Sequence, residues 1–584
     1  MNGSESFGPA GEWAIRESGL ELDRLAQTES VFALSNGHIG VRANLDEGEP
    51  HALPGTYLNS FYESRPLPYA EAGYGYPEDG QTVVNVTNGK LMRLLVDDEP
   101  FDVRYGEVRR HERVLDLRTG TLRRRTEWTS PGHRDVCVTS TRMVSLAQRA
   151  MLGIEWEVEV LDAPARVVVQ SDLVANEDVP ITAGDPRVAA ALEHPLRCIA
   201  HGANDSIVHQ IHETKRSGLR IAAMMHHHAY GPEDLETHTQ VMADLGRVIF
   251  ITRLQPGQTL RIVKLVAYGW SAERSVPALR AQVAAALSAA RHTTWPGMLA
   301  EQEAYLADFW DRADVTIDGD PQLQHAVRFA LFHTLQAGAR TEGRGIPAKG
   351  LTGPGYDGHK FWDTESFVLP VLTYTVPEAA GDALRWRHSL IGAAAARAEQ
   401  LGLGGSAFAW RTIAGHECSA YWPAGTAAFH INAAIADAVR RYVAADGGSR
   451  WEQTYGVDLL VATARLWASL GYFDAAGRFR IDGVTGPDEY SAVADNNVYT
   501  NLMARRNLLA AADAVGRHPG AARDVRADEV ATWRRAADAM TIPFDADLGV
   551  HPQSERFTAH ERCDFGAVGD RYPLMLHFPY FDLY

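Results

Sequence analysis

The chain has 584 residues, 45% hydrophobic and 22% charged, the make-up of a soluble globular protein with room for up to about four domains at ~150 residues each. Its 74 acidic side chains outnumber 56 basic ones, and the resulting net charge of −18 disfavours nucleic-acid phosphates and anionic membrane surfaces. Cys137, Cys198, Cys418 and Cys563 are too far apart for a CxxC pair, which argues against a zinc site or a disulfide framework. The N-terminus carries no basic and apolar leader pattern, and no apolar run approaches the roughly 20 residues that span a bilayer, so the expectation is a cytoplasmic protein with neither membrane nor nucleic acid as partner.

Up to about residue 270 the hydrophobic pattern alternates. Ile154, Trp156, Val158 and Val160 are apolar while Glu155, Glu157 and Glu159 are charged, which predicts a strand with one wet face. Val136 and Val138, 166–170 and 260–268 predict further strands, and so many of them imply a large antiparallel sandwich over 1–270. Consecutive imidazoles at His226, His227 and His228 point to opposite faces of a strand and need no metal. After Trp270 the period turns helical. Ser275 and Pro277 open one segment, Trp295-Pro296 breaks it, and a linker is expected over 271–315. Asp320-Pro321 opens the next segment, and helices are predicted over 365–374, 380–400, 426–443, 456–470, 498–515 and 525–539. Their succession points to a helical bundle or an α/α barrel over 316–584.

Three loops ahead of these helices are rich in aromatic and acidic residues. The first, GYDGHKFWDTE (355–365), sets Trp362 beside Asp363: an indole face packs on the C–H face of a pyranose and a carboxylate accepts from its hydroxyls. The same residues also fit a core tryptophan and a helix cap from Asp363 or Thr364. The second (409–425) gathers Trp410, Arg411, Glu417, Tyr421 and Trp422, either the lining of a polar cleft or a surface loop with buried aromatics. The third, GVTGPDEY (483–490) followed by Asp495-Asn496-Asn497, turns at Gly486-Pro487 and presents Asp488 and Glu489. A glycosidic oxygen leaves poorly without a proton donor, and a carboxyl in a partly apolar pocket, here near Tyr490, keeps its proton near neutrality. Taken alone, the stretch reads first as a turn with two solvated carboxylates.

Together these segments resemble glycoside hydrolase family 65. The resemblance rests on GYDGHKFWDTE and on GPDEY with DNN, and extends to FALSNGHIGVRANLDE, PGTYLNSFYE, PAKGLTGPGY with Lys349, and the terminal HFPYFDLY. It implies an N-terminal antiparallel β-sandwich, a helical linker and an (α/α)6 catalytic barrel, with Glu489 as general acid and Trp362 and Asp363 holding the glucosyl unit. The activity implied is inverting phosphorolysis of an α-linked glucose disaccharide, with inorganic phosphate as co-substrate and nucleophile and without a cofactor or metal, giving β-glucose 1-phosphate. Family members are commonly homodimers. The stretch CSAYWPAGTAAFHIN is more similar to trehalose or kojibiose phosphorylases than to maltose phosphorylases, and trehalose is favoured. The resemblance further implies a phosphate-binding loop beyond Tyr584, hence an incomplete barrel with an exposed apolar flank on late helices such as 525–539. An α-glucoside hydrolase of the acid trehalase kind and an inactive carbohydrate-binding fragment are the competing readings.

Overall fold

The computed structural model describes residues 11, 13–67, 73–178, 192–204, 206–446, 448–489 and 491–559. Tyr490, Cys563 and the HFPYFDLY stretch lie outside them. Strands dominate up to Ser271 and helices follow, with the small hairpin of Tyr472–Phe473 and Phe479–Arg480 as a late exception. The chain forms two compact units. One comprises Met1–Ser64, Thr82–Thr341 and Ile346–Gly358; the other comprises Arg65–Gln81, Glu342–Gly345 and His359–Tyr584.

The first unit holds two large antiparallel sheets and a small three-stranded one of Leu34–Ser35, Ile39–Val41 and Thr56–Leu58. Nine strands run in the order Ala14–Ser18, Glu107–Asp116, Thr121–Thr129, Asp135–Val144, Met151–Val160, Thr259–Ser271, Arg220–Tyr230, Ile207–Thr214, Leu196–Asn204. Five more follow Glu236–Val241, Leu245–Leu254, Ala165–Val174, Met92–Val96, Glu99–Pro100. Alternation in Met151–Val160 is as the sequence predicts: Ile154, Trp156, Val158 and Val160 are buried and the three glutamates only partly so. Polar bonds tie the sheets face to face. Lys264 Nζ donates to Leu91 O (3.2 Å) and Asp172 O (2.8 Å), and His227 Nε2 meets Ser171 Oγ at 2.7 Å. The alternation places His226 and His228 together on the other face, 4.6 Å apart. Burial pulls the Lys264 ammonium down to about 7, against the pull of Asp172.

The signature stretch near the N-terminus is core rather than site. Asp46 accepts from Arg142 (2.6 Å), Ser140 (2.7 Å) and Arg124 (3.3 Å), while Glu47 takes Arg124 through both oxygens at 2.6 and 2.9 Å. Burial pushes the Asp46 carboxyl up, but Arg142 and Arg124 hold it below its ordinary range. Lys349 sits over the Tyr356 ring at 5.6 Å within this unit.

The helix Val276–Ala313 opens on Ser275, whose side chain accepts from Ala278 N, and kinks at Thr294 (φ 65°), just before the predicted break at Trp295-Pro296. Its apolar stripe of Leu279, Val283, Leu287, Ala290, Trp295 and Met298 closes a core with Met151, Met224 and Leu265 of the large sheet. Pro321–Gly338 begins on Asp320, whose carboxylate accepts from Gln322 and Leu323 N–H, and belongs to this unit with the sheets. The helix Leu25–Val31 has no counterpart in the predicted pattern, because its buried face includes Thr28 and Glu29, the latter paired with Arg42.

In the second unit the helices are Leu369–Thr375, Pro377–Ser389, Ile391–Gln400, His430–Asp446, Val457–Leu470, Val498–Arg517 and Ala527–Asp538. Two expectations need correction. The helix over 380–400 is two, because the turn tightens at its middle: Leu390 N bonds Arg387 O and the Ser389 hydroxyl bonds Trp386 O. The helix expected from Thr426 starts at His430, because Pro423–Ala427 is a separate π-helical turn and Ala428 leaves helical geometry (ψ 73°). The helix Ala527–Asp538 buries Trp533, Ala536 and Ala537; exposed apolar side chains lie after it, at Phe544, Leu548, Val550 and Phe557. No helix among the described residues is long and apolar enough to cross a membrane.

Sheet and long helix meet where a side chain is missing. A Cβ on Gly153 would stand 2.5 Å from Trp295 Cζ3. Gly153→Ala should therefore cost about 1–3 kcal/mol through overpacking, read as a lower melting temperature. Gly132→Ala, with nothing nearer than 3.7 Å, should change it little.

Candidate active site

From His359 onward the first loop lies in the second unit, as do the whole of the second and third, and each stands just before a helix. Loop one and loop two are laced together. Lys360 N donates to Thr412 O at 2.8 Å, and Arg411 Nε donates to His359 Nδ1 at 2.6 Å. With Nδ1 accepting, His359 must carry its proton on Nε2, which donates to Gln81 O at 2.5 Å. Burial and the Arg411 charge hold the His359 pKa well below its ordinary value, so the neutral tautomer is the one that fits. Arg411, which the sequence offers as a cleft residue, thus joins the loops, its guanidinium also over Phe361 at 5.5 Å.

Trp362 and Asp363 follow. Trp362 is half-buried and stacks on Trp410 of loop two, with centroids 6.3 Å apart and planes at 29°. Asp363 is exposed, and its carboxylate caps nothing in the turn Thr364–Val368 that it opens. That removes the helix-cap alternative for this side chain. Glu365 of the same motif is buried and bound by Arg387 at 2.7 and 3.0 Å.

Glu417 folds loop two around itself. Its carboxylate accepts from the backbone N–H of Trp410 (2.6 Å), Ser419 (2.9 Å), Cys418 (3.0 Å) and Arg411 (3.4 Å). Burial pushes its pKa up while these N–H groups and Arg397 pull against the rise. Arg397 in turn donates to Gly75 O (2.7 Å) and Gly425 O (2.9 Å), and Gln81 Oε1 accepts from Ile413 N (2.8 Å) and Ala414 N (3.0 Å). Gln81 and Gly75 come from the early part of the chain, and nothing local in their sequence marks them for this place.

Loop three is pinned at both ends. Val484 and Ala494 exchange backbone bonds at 2.9 and 2.8 Å, Thr485 N donates to Ala427 O at 3.0 Å, and Gly483 N donates to Asp495 Oδ1 at 3.0 Å. Asn497 caps the next helix through Thr500 N (3.0 Å), and a Cβ on Gly486 would lie 2.2 Å from Asn497 Nδ2, so this turn needs glycine. Glu489 is half-buried, and Tyr421 Oη donates to its backbone O at 3.4 Å. Burial raises the Glu489 pKa, and repulsion from Asp363 and from Asp488 raises it further. Asp363 and Glu489, 126 positions apart by subtraction, are thus close enough for one charge to be felt by the other.

One residue of this site escaped sequence reasoning. His430, the first residue of the helix His430–Asp446, is fully buried against Trp362 (4.7 Å), Trp410 (4.9 Å) and Tyr499 (6.1 Å), its Nδ1 3.3 Å from Thr485 O. Two positions on, Asn432 Oδ1 accepts at 3.0 Å from Phe408 N, just ahead of loop two. The signal was the pair of polar residues His430 and Asn432 in the otherwise apolar run from Ala427 to Ile435.

Residues 15–309 match the profile described as "Glycosyl hydrolase family 65, N-terminal domain", and residues 328–584 match the "Glycosyl hydrolase family 65 central catalytic domain". An uncharacterized glycosyl hydrolase of Mycobacterium tuberculosis is 59% identical over 100% of this chain and 74% of its own length. The α,α-trehalose phosphorylase of Thermoanaerobacter brockii is 35% identical over 99% of this chain and 77% of its own. A solved structure titled as a putative kojibiose phosphorylase from the human microbiome shares the fold, with a TM-score of 0.89 and 23% identity over 98% of this chain and 76% of that one.

The two carboxylates at 363 and 417 should separate by experiment. Glu417→Gln turns an amide N–H₂ towards a backbone N–H and should cost about 1–3 kcal/mol of stability. Asp363→Asn, exposed and uncapping, should stay within about 0.5 kcal/mol while weakening sugar binding. Thermal unfolding and sugar titration of both variants check this; a stable Glu417→Gln would reverse the assignment.

Proposed function

The chain belongs to glycosyl hydrolase family 65, and from that premise we propose that it cleaves an α-linked glucose disaccharide by inverting phosphorolysis, with Glu489 as proton donor. The carrying observation is the environment of Glu489: half-buried, beside Asp363 and Asp488, its pKa raised by burial and by both charges. A raised pKa is what a general acid requires. We read the helices of the second unit as part of an (α/α)6 barrel.

In this reading the glucosyl ring lies against the half-buried Trp362, with the Asp363 carboxylate free to accept from its hydroxyls. Glu489 gives its proton to the glycosidic oxygen as the bond to the anomeric carbon breaks. Inorganic phosphate attacks that carbon from the opposite face, forming the new C–O bond and leaving β-glucose 1-phosphate and the released sugar. Phosphate is already a nucleophile, so no catalytic base is called for. Arg411 and Glu417 are read as supports, since Arg411 Nε bonds His359 and the Glu417 carboxylate is taken up by backbone N–H groups of its own loop. Trehalose is the favoured substrate, supported by the 35% identity to a trehalose phosphorylase.

Glucose 1-phosphate release from trehalose, kojibiose and maltose, with and without phosphate, tests the reaction; free glucose alone, without phosphate dependence, would mean hydrolysis. Glu489→Gln should lose turnover by about 10²–10⁴-fold with sugar binding little changed. On an α-glucosyl fluoride, whose leaving group needs less protonation, the same variant should keep far more activity. Equal losses on both substrates would make Glu489 a sugar-positioning group instead. The protonated acid is the active form, so the rate should fall as pH rises through the raised pKa. Asp488→Asn removes one repelling charge and should move that basic limb to lower pH while leaving the maximum rate near wild type.

A further inference from the structure

His430 touches all three loops: its ring meets Trp362 of the first edge-to-face at 89°, Trp410 of the second at 69°, and its Nδ1 faces Thr485 O of the third at 3.3 Å. A carbonyl oxygen can only accept, so Nδ1 carries the proton and donates. Nε2 is then a bare lone pair, buried without a hydrogen-bond partner among the described residues. Burial pushes the imidazole pKa down to about 4, in keeping with a ring that stays neutral and keeps a single tautomer.

The accepting carbonyl is well chosen for transmitting position. Thr485 is wholly buried and four residues before Glu489, and the only chain between them is the Gly486-Pro487 turn and Asp488. The rest of the loop base is held independently, by the Val484–Ala494 pairing, by Thr485 N on Ala427 O and by the Thr485 hydroxyl on Ala492 O. Losing the imidazole bond would leave those ties in place but free the Thr485 peptide to tilt, and with it the segment that ends in the acid. The aromatic side of the ring acts on the other partner, filling the corner between Trp362 and Trp410.

We propose that His430 is a positioning residue that sets Glu489 against Trp362 and Asp363, by donating from Nδ1 to Thr485 O while its ring abuts the stacked tryptophans. The proposal rests on the reading of Glu489 as proton donor. Substitutions separate the two functions of the ring. Asn places an amide N–H where Nδ1–H stands; Phe keeps a flat ring against the tryptophans and removes the donor.

In the full chain, with α,α-trehalose and inorganic phosphate, His430→Phe should lower kcat by up to about 10²-fold, the scale of a small misplacement of a reacting group. KM and the melting temperature should change little, and His430→Asn should recover most of kcat. Trehalose binding followed by tryptophan fluorescence should be near normal in His430→Phe, which keeps the ring, and weaker in His430→Asn, which leaves the corner between the tryptophans unfilled. In a Glu489→Gln background, His430→Phe should cost little more, because the group it positions is already disabled. Wild-type kcat in His430→Phe, equal kcat losses in the Phe and Asn variants, or a full additive loss on top of Glu489→Gln would each overturn the proposal while leaving the acid in place. Full activity of Glu489→Gln would instead remove the acid, and with it any role for His430 in aiming it.

Discussion

Buried backbone without a ladder is the constraint around which the helical unit is organised. The three loops run through the interior of the unit without regular structure, and each N–H or C=O left unpaired there would cost about 1–3 kcal/mol. Side chains supply the missing partners. Glu417 takes four backbone N–H groups, Gln81 takes two, Asp495 takes Gly483, and Asn432 takes Phe408 at the entry to loop two. Each loop is thereby held as firmly as a strand, while Trp362, Asp363 and Glu489 are left with side chains uncommitted to the scaffold or only partly so.

That division of labour explains why residues of similar chemistry differ in role within one motif. In Trp362-Asp363-Thr364-Glu365, Glu365 is sealed against Arg387 and Asp363 faces outward, although only one residue stands between them. A buried carboxylate needs its guanidinium to offset desolvation, and breaking such a pair leaves a charge stranded. An exposed carboxylate needs none and keeps its acceptors for a ligand. Lys360 belongs with the first kind: fully buried, near Trp386 at 5.7 Å, with burial driving its pKa well down.

The β unit solves the same problem with ladders, and adds polar ties across its two large sheets through Lys264 and His227. Its buried carboxylates are compensated too, Asp46 by Arg124 and Arg142, and Asp172, within the five-stranded sheet, by Arg93 (3.1 Å) and Arg247 (2.7 Å). This is why the conspicuous stretch FALSNGHIGVRANLDE reads as a signature: its Asn36, Arg42, Asp46 and Glu47 are buried and bonded, and neighbouring strands must match them.

The sequence by itself determined the switch from alternating to helical period, the caps at Ser275 and Asp320, and the three loops that stand before helices. These are local: a pleated strand repeats every two residues, a helix every 3.6, and a cap bonds within its own first turn. It also offered Asp488 and Glu489 beside a tight turn as candidate proton donors, and only the family resemblance chose Glu489 between them. Tertiary structure alone decided which polar residues hold the scaffold. Arg411 and Glu417 look like cleft residues in sequence, yet Arg411 Nε bonds His359 and the Glu417 carboxylate gathers its own loop. Gln81, Gly75 and His430 look like nothing in particular, yet each joins segments hundreds or tens of positions apart. The physical reason is that a side chain's hydrogen bonds are set by what packs against it in space, and neither period nor propensity carries that information.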